Sequence, residues 1–426
     1  MIEDNSNTRT PIIRFQGFNG EWEKKKIGDI AIVLQGYGFP EKYQGQKYGD
    51  LPFCKVGDIS SAVDRGEMVI NKADNFVDYS LLPVLHAQPI PVGSTIFAKI
   101  GEAIRSNKRI RTGVPCLIDN NAAAVKSKGE ISDTFLFYLM SKVNLADYSG
   151  GIVPSVNKST IEAIDVLVPS SRDEQQKIAE CLEAIDQMIS AQNQKVESLK
   201  AHKKGLMQQL FPQPGATTPA LRFPGFEEFW EEKKLGDICD SILVGFPFKG
   251  QDITDNSSGH PILRAYSIGE GIIRHGKDYD KYYPGDTKPL ERYKVSTGDI
   301  VISMDGSVGR NIALVSDDEN GYLLIQRVAR LRVTKYPVQL IYQQIISQRF
   351  KDYVAGEKVG AVIAHISQKQ IESFPVFIPK SQQEQNKVAD ALTETDRLIS
   401  TQEQKVESLK THKKGLMQQL FPQLQK

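Results

Sequence analysis

The stretch QKVESLKAHKKGLMQQLFPQ at residues 194–213 returns at residues 404–423 with a single difference, because Ala201 is replaced by Thr411. A nearly identical repeat separated by a domain-sized interval indicates two copies of one structural unit. The function is therefore expected to be something that the chain does twice.

Each copy of this stretch is the end of a longer helical pattern. Apolar residues fall on two interleaved seven-residue series, which is typical of the a and d positions of a coiled coil. The predicted coiled-coil seam contains Ile178, Leu182, Ile185, Ile189, Val196, Leu199 and Leu206 in the first copy and Val388, Leu392, Ile399, Val406, Leu409 and Leu416 in the second. About forty residues at about 1.5 Å each predict a rod about 60 Å long. The alternative is a helix packed only on its own domain.

Both predicted helices begin and end with the same residues. Ser171 is followed by Glu174, and Ser381 by Glu384, and this spacing predicts a capping box at each start. Each pattern ends at a Phe-Pro pair. Because the ends of a compact domain usually lie close together, the second helix should run back along the first.

This order of parts predicts an intramolecular antiparallel coiled coil. One globular domain is expected at each end of the rod, and a pseudo-two-fold axis should relate the two halves. Gln192 and Gln402 fall on polar d positions near the expected midpoint. We predict that their side chains hydrogen-bond to each other and fix the alignment.

Residues 11–30 match residues 219–238 and mark where each unit begins. Short strand-like runs and helical patterns follow in both copies, so the fold class is mixed α/β. The strand-like runs are residues 51–56, 93–100, 166–168, 261–266, 298–304, 327–333 and 376–378, and the helical patterns are residues 132–143 and 338–354. The predicted boundaries are an N-terminal tail at 1–10, a globular domain at 11–170, a spacer helix at 171–212, a linker at 213–218, a globular domain at 219–380 and a C-terminal spacer helix at 381–426.

The composition excludes several classes of protein. No apolar run is long enough for a membrane span, so the chain is expected to be cytoplasmic and to have no membrane partner. Four cysteines without paired spacing indicate reduced thiols rather than a disulfide framework or zinc site. The net charge of +1 does not favour a nucleic-acid binder, although local basic patches are compatible with it.

Few residues suggest catalysis. The chain contains no P-loop, no HExxH motif and no Asn-Pro-Pro-aromatic tetrad. Glu-x-Lys at residues 23–25 and 231–233 lies in charged runs typical of a surface, and the glycine turn at residues 306–309 is more often structural than phosphate-binding. We therefore expect no metal, no cofactor and no chemistry from this chain alone.

Basic residues cluster after a glycine in each copy, at Gly101 and Gly306. Arginine offers two donors that match guanine, and asparagine matches adenine, so these clusters could contact phosphates and bases. A solvated basic loop is the alternative. The candidate DNA-binding residues are Lys99, Arg105, Asn107, Lys108, Arg109 and Arg111 in the first copy and Arg264, Arg310, Asn311, Arg327 and Arg330 in the second.

The combined motifs resemble the specificity subunit of type I restriction-modification systems. They are LRFPGF…W…KLGDI at 221–238, GDIVISMDGSVGR at 298–310, Pro-x-x-x-x-Glu-Gln at 169–175 and 379–385, and KKGLMQQLFP at 203–212 and 413–422. The resemblance covers nearly the whole chain. Base-reading positions are too variable in such proteins to be carried over to particular residues.

The resemblance implies two target recognition domains that each read one half of a bipartite, asymmetric site in double-stranded DNA. It implies that the helices set the spacing and bind two methyltransferase subunits, which bind S-adenosylmethionine and methylate adenine N6. Restriction subunits would add translocation and cleavage. The alternatives are a non-DNA adaptor with two ligand-binding domains on a coiled-coil spacer, and a methyltransferase or nuclease in its own right.

Overall fold

The computed structural model describes residues 9–213, 215–306, 309–356 and 365–422. Most of the predicted N-terminal tail, one linker residue and two residues of the glycine turn at 306–309 lie outside the described residues. The chain divides into two compact units. Unit 1 runs through Glu197 and resumes at Ser400, and unit 2 is Ser198–Ile399.

Unit 1 contains ten short strands in three sheets. The strands are β1 Glu23–Lys26, β2 Ala31–Gln35, β3 Leu51–Cys54, β4 Val69–Ile70, β5 Phe76–Val77, β6 Thr95–Ala98, β7 Arg109–Thr112, β8 Leu117–Ile118, β9 Ala122–Ser127 and β10 Asp165–Val168. Their order is β2-β9-β6-β7-β4 in the largest sheet, β5-β3-β8 in the second, and β1 antiparallel to β10 in the third.

The helices of unit 1 pack on these sheets. They are α1 Ile27–Ile30, α2 Val56–Asp64, α3 Leu82–Leu85, α4 Asp133–Lys142, α5 Lys158–Glu162 and the first part of α6 Arg172–Leu210. The N-cap of α4 is Ser132, whose side chain accepts a hydrogen bond from the backbone of Phe135. The central core connects the globular domain with the long helix, because Trp22 and Phe135 lie in one buried cluster with Ile178 and Leu182 of α6.

Unit 2 has the same plan with fewer elements. Its strands are β11 Glu231–Lys234, β12 Ser241–Val244, β13 His260–Leu263, β14 Lys281–Tyr283, β15 Ile300–Ser303, β16 Ile312–Leu314, β17 Leu323–Leu324, β18 Val328–Arg332 and β19 Pro375–Ile378. Its helices are α7 Leu235–Ile238, α8 Val338–Ile345, α9 Gln348–Gly356, α10 Gln368–Ser373 and the first part of α11 Gln382–Leu420. The sheet orders are β12-β18-β15-β16, β14-β13-β17 and β11-β19.

The mixed α/β class and the two long helices are confirmed. Two local predictions are wrong. The alternation of basic and apolar residues at 327–333 predicts a half-buried strand with one arginine-lined face, but Val328–Leu331 are all buried. Both faces of β18 are covered, because Ala329 and Leu331 lie in one buried cluster and Val328 lies in another. The helical pattern at 338–354 is two helices, which are separated between Ile345 and Gln348.

In unit 1 the first part of α6 packs against the last part of α11. The cluster between them contains Ile185, Ile189 and Val406, with half-buried Leu409 and Leu416 packed against it. Nearer to the start of α6, Leu182 shares a core with Leu420 near the end of α11. Early positions of one helix therefore meet late positions of the other, as the antiparallel prediction requires.

Unit 2 shows the same direction of pairing from its own residues. Leu210, the last residue of α6, lies in one core with Val388 and Leu392 from the start of α11. Every residue of the predicted seam is buried or half-buried. The outer seam positions, such as Leu182 and Leu392, contact the globular core as well as the other helix.

The predicted bond between the two central glutamines is wrong. Gln192 and Gln402 both belong to unit 1, and the Oε1 atom of each is buried and accepts no hydrogen bond. Alignment of the helix pair instead involves charged residues. Lys413 Nζ donates to Asp186 at 2.6 Å in unit 1, and Lys203 Nζ donates to Asp396 at 2.6 Å in unit 2.

Candidate nucleic-acid interface

The repeated motifs meet one another in unit 1. Arg14 Nε and Nη2 donate to the two carboxylate oxygens of Glu174, each at 2.7 Å, and the side chain of Glu174 is only 2% exposed. Gln175 Nε2 donates to the carbonyl of Pro169. Trp22 packs edge-on against Phe421, with ring centroids 5.8 Å apart. These contacts join the start of the domain, the start of α6 and the end of α11.

Unit 2 repeats this set of contacts, which we call the clasp. Arg222 Nε and Nη2 donate to Glu384 at 2.7 and 2.9 Å, and Trp230 packs edge-on against Phe211 at 6.0 Å. Trp230 Nε1 also donates to Glu384 at 3.1 Å. In unit 1 the equivalent Nε1 atom of Trp22 is buried without an acceptor.

The clasp corrects the predicted capping boxes. The Ser171 hydroxyl does accept from the backbone of Glu174, at 3.4 Å. The carboxylate of Glu174, however, binds Arg14 instead of returning to the N-cap backbone, and that of Glu384 binds Arg222 and Trp230. The shared motifs therefore have a structural role in each unit.

The candidate DNA-binding residues of unit 1 differ in exposure: Arg105 is exposed, and the others are buried or half-buried. Arg109 is 6% exposed and donates to backbone carbonyls of Asn107 and Val143, so its guanidinium is engaged inside the domain and its role as a DNA contact stays a prediction. Arg111 is held against α6 by an ion pair with Glu183. Arg105 is exposed and pairs with Glu102. Arg111 is half-buried, and so are three further candidates. Lys99 donates to Gln35, Asn107 accepts from Arg109, and Lys108 pairs with Asp64.

Unit 2 divides its candidates in the same way. Arg330 is 5% exposed and donates to the backbone carbonyls of Arg292 and Lys294, so its guanidinium is also engaged inside the domain and its role as a DNA contact stays a prediction. Arg310 and Arg327 are exposed, whereas Arg264 and Asn311 are half-buried. The alternating pattern at residues 327–333 did not distinguish an arginine that projects to solvent from one inside the sheet.

The first glycines of the two predicted turns, Gly101 and Gly306, lie at equivalent places of their units. Gly101 has a φ of +84° and Gly306 a φ of +74°, a backbone region that favours glycine. Each turn follows the central strand of its sheet, β6 or β15. Arg105 comes soon after the first turn and Arg310 after the second, so each unit exposes a cation at this edge.

One charged cluster was not predicted from the sequence. Arg327 Nη1 donates to Asp305 Oδ2, and His365 Nδ1 lies 2.6 Å from Asp305 Oδ1. These residues are separated by 22 and 60 positions in the chain. Asp305 and His365 carried no local signal, because nothing in their immediate sequence indicates that the fold brings them together.

Comparison with known proteins identifies the family. A family profile described as "Type I restriction modification DNA specificity domain" matches residues 19–201 and 227–411. The chain belongs to this family. The type I restriction enzyme MjaVIII specificity subunit of Methanocaldococcus jannaschii is 26% identical over 419 residues, which cover 94% of this chain and 92% of that protein.

Two solved structures share the fold of this type I DNA specificity protein. One is the S subunit of a type I restriction-modification system from M. genitalium, with a TM-score of 0.59 at 15% identity. The alignment covers 98% of this chain and 100% of the M. genitalium chain. A chain from a study of complex assembly and conformational transition of the type I R-M system has a TM-score of 0.52 at 16% identity, covering 94% and 97%. The resemblance inferred from the motifs is confirmed, and the protein is a specificity subunit with two DNA specificity domains.

Several further observations concern chemistry in this specificity subunit. Among the described residues, no three or more His, Cys, Asp or Glu side chains are grouped so that they could hold a metal ion. All four cysteines are free thiols, and burial raises the pKa of Cys239 to about 12, so this thiol stays protonated at neutral pH.

No helix in the described part of the chain is both long and apolar enough to cross a membrane.

Proposed function

We propose that each unit reads one half of a bipartite, asymmetric site in double-stranded DNA. The recognition domains are residues 11–170 and 219–380, and the spacer helices are residues 171–212 and 381–426. The observation that carries the proposal is the division of labour between shared and unshared residues. The arginine–glutamate and tryptophan–phenylalanine contacts of the clasp recur in both units, whereas the exposed side chains around the two predicted glycine turns differ. Two equal frameworks with different exposed groups suit two different half-sites.

DNA binding is tested by titrating salt against the affinity of the purified chain for duplex DNA. The exposed arginines predict that the logarithm of the association constant falls linearly with the logarithm of salt concentration, with a slope of roughly −0.9 per phosphate contact. Filter binding measures this slope. Arg310→Ala should reduce it by about one, whereas Arg330→Lys, at a buried position, should leave it unchanged. A chain that binds no DNA at low salt would favour the adaptor alternative.

We further propose that the two long helices bind two methyltransferase subunits, which methylate adenine N6, and that restriction subunits join this assembly. Association with a type I system is supported by the similarity to the MjaVIII specificity subunit and to a chain of an assembled type I R-M complex. The repeat supports two docking points. Met188 of α6 and Leu398 of α11 occupy equivalent positions of the two helices, and they are 51% and 40% exposed. Singly exposed apolar residues are common, but a matched pair on a repeated helix suits two equal partners.

Charge at either position should remove one partner. Met188→Glu and Leu398→Glu each place a carboxylate in an apolar contact, so each should weaken one binding event by roughly 30-fold or more. Light scattering should show one bound methyltransferase subunit for either variant and none for the double variant. Gln187→Glu adds the same charge at a neighbouring exposed residue and should retain two subunits. Two bound subunits on the double variant would place the docking surface elsewhere.

A further inference from the structure

Arg327 has a backbone conformation that arginine rarely adopts. Its φ is +67°, and only His86 and Asn107 share a positive φ among the non-glycine residues that the structure describes. His86 and Asn107 both end helical turns, where this conformation is common. Arg327 instead directly precedes β18. A non-glycine residue is held in this region only where its surroundings require it, and such positions concentrate at functional sites.

Those surroundings are an aspartate and a histidine. The side chain of Asp305 is 21% exposed, and its two oxygens are occupied separately, one by Arg327 and the other by His365. Burial by itself would raise the pKa of Asp305, but the hydrogen bonds from Arg327 and His365 outweigh it and hold the pKa below its ordinary value. The carboxylate is therefore charged and fixed on both sides.

The guanidinium of Arg327 points outward from this support. Its side chain is 65% exposed, and only Nη1 donates to Asp305. Among the described residues, Nε and Nη2 have no acceptor, so two adjacent donors remain available. Because Asp305 neutralises the charge, the pair attracts a phosphate less than a lone cation does. Arg310 makes no ion pair within the described ranges and is better suited to a phosphate.

Unit 1 makes the same backbone contacts at this place with other side chains, although Asn121, which takes the place of Arg327, does not have a positive φ. The backbone N–H of Met304 donates to the Arg327 carbonyl, as that of Lys99 donates to Asn121. Asp305 forms a β-bridge with His365, as Ile100 does with Ser155. Isoleucine, asparagine and serine therefore replace aspartate, arginine and histidine at the equivalent positions. The framework does not require the charged cluster, and the cluster is specific to unit 2.

We propose that Arg327 reads a guanine in the half-site bound by unit 2, and that Asp305 and His365 are positioning residues that hold its guanidinium in place. This inference rests on the proposed DNA-binding function and names the base class that one domain recognises. Two adjacent guanidinium donors match O6 and N7 of guanine in the major groove. Holding the side chain in advance reduces the conformational entropy that is lost when it binds.

The test uses Arg327→Gly in the complete complex with its methyltransferase subunits. Glycine adopts a positive φ without strain, so this variant should fold at least as well as the parent. Sequencing of methylated sites in cells should show that one guanine in the unit 2 half-site becomes degenerate while the other half-site is unchanged. Affinity of the purified complex for the cognate duplex should fall roughly 10- to 100-fold, with little change for unrelated DNA.

Asp305→Ala tests the positioning role. It removes the acceptor of Arg327 Nη1 and leaves the arginine as an unpaired cation, so preference for guanine at that position should fall several-fold while binding to unrelated DNA strengthens. If Asp305 had only a structural role, its loss would weaken binding to the cognate site and to unrelated DNA alike. Asn121→Ala at the equivalent position of unit 1 is the control, because Asn121 has no positive φ that would call for glycine, and it should leave the unit 2 half-site intact.

Two outcomes would overturn the inference while leaving the proposed function standing. An unchanged methylation motif with Arg327→Gly would show that the residue reads no base. A uniform loss of affinity on all sequences, with a salt slope lower by about one, would show a phosphate contact instead. A parent complex that binds no DNA would overturn the proposed function and the inference with it.

Discussion

Inserting seven residues into each long helix will lengthen the gap between the two half-sites that the complex recognises. The insertions belong between Glu197 and Ser198 in α6 and between Ile399 and Ser400 in α11. The ion pairs Asp186–Lys413 and Lys203–Asp396 bracket both points, so the two additions extend the pair together. Seven residues keep the heptad seam in phase and add about 10.5 Å. That length corresponds to at most about three base pairs at about 3.4 Å each.

The effect on the original site should be large. Two half-sites at the wrong spacing cannot be bound together, so affinity for the parent site should fall about 10³-fold or more, to the nonspecific level. Methylation mapping in cells and selection from a library of duplexes with varied gaps measure the new spacing. An insertion into α6 alone is the control, because it puts the two helices out of register and should prevent assembly altogether. A variant with both insertions that still methylates the parent site would refute spacing by helix length.

Glu384→Ala will destabilise unit 2 by about 3–5 kcal/mol, the usual cost of removing one partner from a buried ion pair. The side chain of Glu384 is 2% exposed and accepts from both Arg222 and Trp230. Its loss leaves a guanidinium that is 15% exposed and an indole N–H without an acceptor. The start of α11 would then lose its bond to the start of the second domain.

The two tryptophans of the chain allow each unit to be followed separately. In a Trp22→Phe background, Trp230 alone reports on unit 2, and urea unfolding followed by fluorescence should show a lower midpoint for Glu384→Ala. In a Trp230→Phe background, Trp22 reports on unit 1 and its transition should move less. Glu394→Ala removes an exposed pair with Arg397 on the same helix and should leave the unfolding midpoint almost unchanged. Equal midpoints for Glu384→Ala and Glu394→Ala would show that the clasp does not stabilise the unit.

The sequence predicted the elements whose signal is periodic or repeated. The heptad series in α6 and α11 identified the long helices and the residues between them, since a coiled-coil seam must recur every seven residues whatever surrounds it. The repeat also marked the start of both units. The clasp motifs were recognised as shared, but their role was not: Glu174 fits a capping box by spacing, and only the fold places Arg14 close enough to take its carboxylate.

The candidate site was predicted less well, because the local sequence does not show which arginine side chains are exposed to solvent. Arg327 and Arg330 lie three residues apart in one alternating run, yet Arg327 projects to solvent and Arg330 binds backbone carbonyls inside the sheet. In unit 1, Arg109 likewise donates to a backbone carbonyl inside the domain, that of Val143. A buried arginine looks like a DNA contact from the sequence, since both environments select a guanidinium that makes several directed hydrogen bonds.

By itself, the sequence determined that the chain is a duplicated α/β protein with two long antiparallel helices and that it belongs with DNA specificity subunits. Those conclusions rest on periodicity and on motifs, which are properties of neighbouring positions. Tertiary structure alone decided which basic residues are exposed and which residues support them. The Asp305–Arg327–His365 cluster joins positions up to 60 residues apart, and such contacts depend on how strands and loops pack rather than on any local pattern.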